Sequence, residues 1–168
     1  CLALAMDFAS FIGKTPIVVN DGRGFYTSRV FGTYVQEGMA LLAEGVAPAL
    51  IENAGRLAGM PLGPLAVADE VSLELIYKVS LQTKADLGDV HMAPPGTHVI
   101  KQMVKELGRL GKKTNKGFYD YPSDAPKRLW PGLVDQFPQN LSAEQPSVEM
   151  VKKRLLYIQA IETAHCLD

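Results

Sequence analysis

Cysteine is nearly absent from this sequence: there are two in 168 residues, Cys1 and Cys166. They are too few for a disulfide framework or a cysteine metal site, and the count fits a reducing compartment, so a cytoplasmic location is expected. Histidine is as scarce. His91, His98 and His165 stand at no ligand spacing with Cys, Asp or Glu, and no metal site is expected. An excess of either charge is missing too. Seventeen Lys and Arg against 18 Asp and Glu leave a net charge of −1, which gives no footprint for nucleic acid or an anionic membrane surface. No apolar run approaches the roughly 20 residues that span a bilayer. Leu2–Met6 is too short for a signal-peptide core and has no basic residues before it. What remains is an ordinary globular composition, 47% apolar and 21% charged, in a chain long enough to bury a core.

Strand signals are the last scarcity. Residues 2–12 put Leu2, Ala5, Phe8 and Ile12 on one helical stripe, with Gly13 as a stop. Pro16-Ile17-Val18-Val19-Asn20 then reads as a buried strand of the kind that closes a parallel sheet, and no second strand of that quality follows. Beyond the turn Asp21–Gly24, a helix over Val30–Glu44 is expected to bury Phe31, Tyr34, Val35, Met39 and Leu42. Pro48 opens a second helix, with Ile51, Ala54 and Leu57 on its apolar face, and Gly59 ends it. Pro61–Pro64 is a rigid turn before a short helix, Leu65–Val71. Ser72 is expected to cap a further helix carrying Leu73, Ile76 and Leu81. Residues 91–95 read as a loop, 98–110 as helix and 111–121 as extended or looped.

Five prolines between 122 and 146 suggest a linker, partly pinned by Trp130 and Leu133. Ser147 is a plausible cap for a last helix. Laid without gaps, Arg154 falls on Arg29 and Glu162 on Glu37, the sign of an internal repeat. The chain opens on Cys in mid-helix pattern and stops at Cys166-Leu167-Asp168 in another, so it reads as a piece of a longer protein.

The motifs divide in the same way. Gly22-x-Gly24-x-x-Thr27 mimics a dinucleotide fingerprint, but its third position is Thr and no further strand supplies the acidic ribose partner. A domain-boundary turn accounts for it better. Ser28 stands in the first turn of the following helix, at a joint where a cleft would form. Its hydroxyl is open to two readings, a helix cap beside Thr27 or a hydrogen bond to a ligand. Arg109, Lys112, Lys113 and Lys116 could meet phosphates, although a solvated face is the simpler reading, and Glu106 stands where a P-loop needs glycine. Asp69 and Glu70 read as capping and pairing carboxylates.

Three stretches then match a family in order. Pro16–Asp21 through Gly24-Phe25-Tyr26-Thr27-Ser28-Arg29 resembles the entry to the C-terminal domain of 3-hydroxyacyl-CoA dehydrogenases. Met60-Pro61-Leu62-Gly63-Pro64 with Asp69 is similar to that family's second signature. Gly111–Tyr121 resembles its third, and the repeat near Ser147 resembles the long bacterial form, the α-subunit of the fatty-acid oxidation complex fused to an enoyl-CoA hydratase.

The resemblance implies a mainly α fold, a 6-phosphogluconate dehydrogenase C-terminal-like helical domain preceded by the last helix and strand of a Rossmann unit. The implied division is 1–21 for the end of the NAD-binding domain, 22–121 for the first helical copy, 122–146 for the linker and 147–168 for the start of a second copy. It implies NAD-dependent oxidation of (3S)-3-hydroxyacyl-CoA to 3-oxoacyl-CoA. The catalytic His–Glu pair and the NAD loop belong to an upstream domain, so no catalytic residue is expected here. The family usually has Asn, in contact with substrate, where this sequence has Ser28, and Ser28 is the substrate-binding candidate. Implied partners are the acyl-CoA, a second copy or a thiolase subunit. The alternative is a helical dimerisation domain of another β-hydroxyacid dehydrogenase.

Overall fold

Glycines and prolines punctuate the chain, and helices fill the spaces between them. The computed structural model describes residues 1–88, 92–139 and 144–167. His91, residues 140–143 of the expected linker and the final Asp168 lie outside these. Helix α1 (Leu2–Phe11) leads through Gly13, at φ +74°, into an extended segment. Five helices follow: α2 (Thr27–Ala43), α3 (Pro48–Leu57), α4 (Pro64–Val71), α5 (Leu73–Leu87) and α6 (Thr97–Lys101). Pro48 and Pro64 sit in the first turns of α3 and α4, where a missing N–H costs nothing. The mainly α architecture is as the sequence reading expects.

The core is built on α2. Tyr34, Val35, Met39, Leu41 and Leu42 are buried against Ile51 and Ala54 of α3, Leu65 and Ala68 of α4, and Val99, Ile100 and Met103. Two glycines permit the close approach. A Cβ at Gly38 would collide with Pro64, and one at Gly55 would collide with the Tyr34 hydroxyl. That hydroxyl donates to the Leu62 carbonyl at 2.8 Å, so the rigid turn is tied to α2.

The last helix, α8 (Val148–His165), packs along α2 and α3, and Ser147 caps it by accepting from the Met150 N–H at 3.2 Å. Two ion pairs cross between α2 and α8 reciprocally. Arg29 meets Glu162 at 2.7 Å, and Arg154 meets Glu37 at 2.6 Å. The offset that carries Arg29 to Arg154 also carries Glu37 to Glu162, so each arginine meets the other helix's glutamate. Such exposed or half-exposed pairs contribute little stability, but they fix an antiparallel register.

The structure corrects several sequence expectations. Pro16–Asn20 is extended but pairs with no strand among the described residues, and Ile17, Val18 and Val19 are exposed. A strand exists only through a hydrogen-bonded neighbour, which composition cannot supply. Phe31, Leu57 and Leu81, expected in the core, are exposed. The helix expected over 98–110 is α6, then a wider π turn over Gln102–Glu106, and it is over by Gly108 at φ +62°. The Pro-rich stretch is only partly a linker. Tyr119–Asp120 (β1) pairs antiparallel with Arg128–Leu129 (β2), and a short α7 (Leu133–Gln136) buries Leu133, with Phe137 just after it.

Ser72 does not cap α5 through its side chain. It sits at φ +89°, ψ +118°, and its hydroxyl donates weakly to the Leu110 carbonyl at 3.4 Å. That backbone region suits glycine, and a residue with a Cβ there stores strain of about 1–3 kcal/mol. Ser72→Gly is expected to raise stability by about 1 kcal/mol, read as a higher denaturant midpoint at unchanged slope.

Candidate functional site

Two clusters of polar side chains compete for a functional role, and burial separates them. The first is a pair of buried carboxylates. Glu52 of α3 is 3% exposed and Asp69 of α4 1%. Glu52 accepts from the Leu65 N–H at 2.7 Å and the Ala66 N–H at 3.3 Å, capping α4 from outside, and from the Tyr119 hydroxyl at 2.6 Å. Asp69 accepts from the Phe118 N–H at 2.8 Å, the Tyr119 N–H at 2.9 Å and the Tyr121 hydroxyl at 3.0 Å. Gly117 is required beside it, because any Cβ there would overlap the carboxylate.

Burial pushes Asp69 up to about 6, against the pull of the Phe118 and Tyr119 N–H groups, the Tyr121 hydroxyl and Arg109. Burial also raises Glu52, opposed by the Tyr119 hydroxyl, the Leu65 and Ala66 N–H groups and Arg56. Shifted carboxyls are often catalytic. Here their oxygens are committed to the protein's own donors, and neither lines the groove described below. They are structural ties between α3, α4 and the 111–121 segment, as the pairing expectation for Asp69 anticipates.

Arg109 belongs to the same knot. Its guanidinium is buried, donating to the Gly117 carbonyl at 2.6 Å and the Tyr119 carbonyl at 3.1 Å, pairing with Asp120 and stacking over Trp130 at 4.2 Å. Lys112 is held by Glu70 at 2.7 Å. So the four-cation cluster is divided: Arg109 is inside the protein, while Lys112, Lys113 and Lys116 stay on the exposed surface that the simpler reading expects.

The second cluster is open. Between α2 and α5 lies a groove of about 460 Å³, walled by Phe31 and Val35 on one side and by Leu75, Ile76 and Val79 on the other. Ser28 lines it. Helix α2 has Tyr26 at its N-terminal boundary and no side-chain cap, so the capping role for Ser28 is not realised. Ser28 and the groove walls come together in space; Arg109, Asp69 and Glu52 do not join them. The sequence reading missed Gln36 and Gly32, which also line the groove. A glycine in mid-helix with no turn to make was the signal available for Gly32.

The Gly22–Thr27 turn has Gly24 at φ +75° and Phe25 at φ +49°, with no strand before it, so the described residues do not fit a nicotinamide dinucleotide. No group of three His, Cys, Asp or Glu side chains among the described residues could hold a metal ion. No described helix is long and apolar enough to cross a membrane.

Comparison with known proteins fits this arrangement. Residues 24–121 match the family model described as 3-hydroxyacyl-CoA dehydrogenase, C-terminal domain. The chain is 32% identical over 171 residues to the fatty acid oxidation complex subunit alpha of Shewanella oneidensis, covering 99% of this chain and 23% of that protein. Its counterpart from Shewanella loihica is 37% identical over 128 residues, covering 76% of this chain and 18% of that protein. Among solved structures, the dehydrogenase part of multifunctional enzyme 1 from C. elegans superposes over 99% of this chain and 37% of its own, at TM-score 0.67 and 25% identity. The (S)-3-hydroxybutyryl-CoA dehydrogenase of Ralstonia eutropha does so over 72% and 42%, at TM-score 0.63 and 30% identity. The chain thus spans about a quarter of the length of the curated relatives it matches. With residues 24–121, more than half of its length, under the family model, the chain belongs to the 3-hydroxyacyl-CoA dehydrogenase C-terminal domain family.

Proposed function

We propose that this chain is the substrate-facing and assembly part of an NAD-dependent (3S)-3-hydroxyacyl-CoA dehydrogenase of fatty-acid oxidation. The carrying observation is Ser28. It stands at the start of α2, free of any capping duty, on the wall of an apolar groove in a domain of this family. A hydroxyl can give and take one hydrogen bond each, enough to orient a polar head while the groove takes the apolar part. Proton removal and NAD binding are assigned to residues outside this chain, because the groove has no titratable side chain among its described lining.

Assembly is the second half of the reading. The reciprocal Arg29–Glu162 and Arg154–Glu37 pairs support α8 as the start of a second helical copy, with the division at about residue 147. Self-association and a thiolase subunit are the proposed macromolecular partners. A cytoplasmic location goes with this reading, supported by two thiols that are both unpaired.

The test is Ser28→Ala in the dehydrogenase that carries this chain. One lost hydrogen bond of about 0.5–1.5 kcal/mol predicts a several-fold loss in kcat/KM for 3-hydroxyacyl-CoA. Unchanged kinetics would remove Ser28 from the substrate site.

A further inference from the structure

The groove beside Ser28 has a feature that packing does not explain. Gly32 lies in the middle of α2, where glycine costs about 1 kcal/mol relative to alanine. Gly38 and Gly55 are needed for close contacts, but a Cβ at Gly32 would meet no described atom within 4 Å. The missing side chain opens space in the groove instead. Ser28, Gly32 and Gln36 follow at four-residue steps, so they lie along one face of α2 over about 12 Å. Gln36 lines the far end of this face.

The hydroxyls of the other two hydroxyl-bearing lining residues are already donated within α5. Ser80 donates to the Tyr77 carbonyl at 2.7 Å and Thr83 to the Val79 carbonyl at 2.9 Å, both within α5. That leaves a largely apolar groove with the Ser28 hydroxyl at one end and Gln36 at the other. A peptide would bring backbone N–H and C=O groups that find almost no partners there. A hydrocarbon tail brings none.

We propose that Gly32 sets acyl-chain length. By leaving the groove open, it lets the tail of a medium-chain 3-hydroxyacyl-CoA lie along α2 from Ser28 towards Gln36. This deepens the reading of the site as an acyl-CoA site and rests on it.

The test is amide chemical-shift mapping of the 168-residue chain with 3-hydroxybutyryl-CoA and with 3-hydroxydecanoyl-CoA. The short compound is expected to shift amides near Ser28 only, and the long one to extend the shifts through Gly32, Gln36 and Val79. Gly32→Leu, which helix propensity favours, should weaken the decanoyl complex at least tenfold and leave the butyryl complex within twofold. If Gly32→Leu fails to fold, Val79→Trp narrows the same space from the exposed face of α5 and must give the same result. Equal footprints for the two compounds near Ser28 would overturn the chain-length proposal and leave the acyl-CoA reading standing. No shift near Ser28 with either compound would overturn both.

Discussion

Asp69→Ala is expected to cost about 3 kcal/mol or more of stability. Among the described residues, the carboxylate is the acceptor for both the Phe118 and the Tyr119 N–H groups. Each buried donor left bare costs about 1–3 kcal/mol. Against a typical total of about 5–15 kcal/mol, thermal unfolding should move down by roughly 6–12 °C. Asp69→Asn should cost about half as much by the same per-donor figure, because one oxygen still accepts while the amide nitrogen faces an N–H. Gly117→Ala should resemble Asp69→Ala, since its methyl would displace the same carboxylate.

The pH dependence follows from the raised pKa of Asp69. In the unfolded chain it titrates near 3.8, and in the native state burial lifts it to about 6. The native state therefore takes up a proton first. This group's contribution to stability is full below about pH 4 and is lost as pH rises through 6. The Tyr121 hydroxyl makes the proton tolerable: it donates to the carboxylate and can turn to accept from the protonated acid. Denaturant titrations at pH 4.5 and 7 should show a wider gap between the wild type and Asp69→Asn at the lower pH. A gap that narrows would contradict this sign.

The second large effect concerns activity. The 168-residue chain alone is expected to reduce no NAD with any 3-hydroxyacyl-CoA. Oxidising a secondary alcohol needs a base for the hydroxyl proton and a positioned nicotinamide for the hydride. A positioned base alone is worth about 10²–10⁴-fold, and the rest comes from the cofactor and its orientation. The groove's described lining has neither acid nor base, and Glu52 and Asp69 are sealed away from it. Turnover above background from pure chain would show that a catalytic group has been overlooked.

How far the sequence carries the structure depends on whether a feature is local. Helices bounded by Gly45, Gly59, Pro48 and Pro64 are local, and they are found where periodicity and punctuation put them. The shared spacing of Arg29 and Glu37 with Arg154 and Glu162 is legible in the sequence, and the structure adds that these charges meet one another. The features that escape are set by distant neighbours. Pro16–Asn20 has every property of a strand except a partner. Phe31 has core periodicity, but it faces a groove because α5 stands off and leaves Leu75 and Val79 exposed. Nothing in the sequence around Glu52 shows that the N-terminus of α4, 13 residues away, comes to rest on it. Arg109 reads as part of a basic patch because nothing local shows that Trp130 and two carbonyls will enclose it. Ser28 was open to two readings, and only the uncapped start of α2 removes one.

The most direct test of the central claim is a graft. The matching segment of the Shewanella oneidensis fatty acid oxidation complex subunit alpha is replaced by residues 1–168 of this chain, and NAD reduction is followed with 3-hydroxyacyl-CoA. If this chain is the substrate-facing domain of such a dehydrogenase, the folded chimera oxidises the acyl-CoA within about tenfold of the parent, and Ser28→Ala lowers that rate several-fold. A folded chimera that binds NAD as the parent does but leaves 3-hydroxyacyl-CoA unchanged would contradict the account.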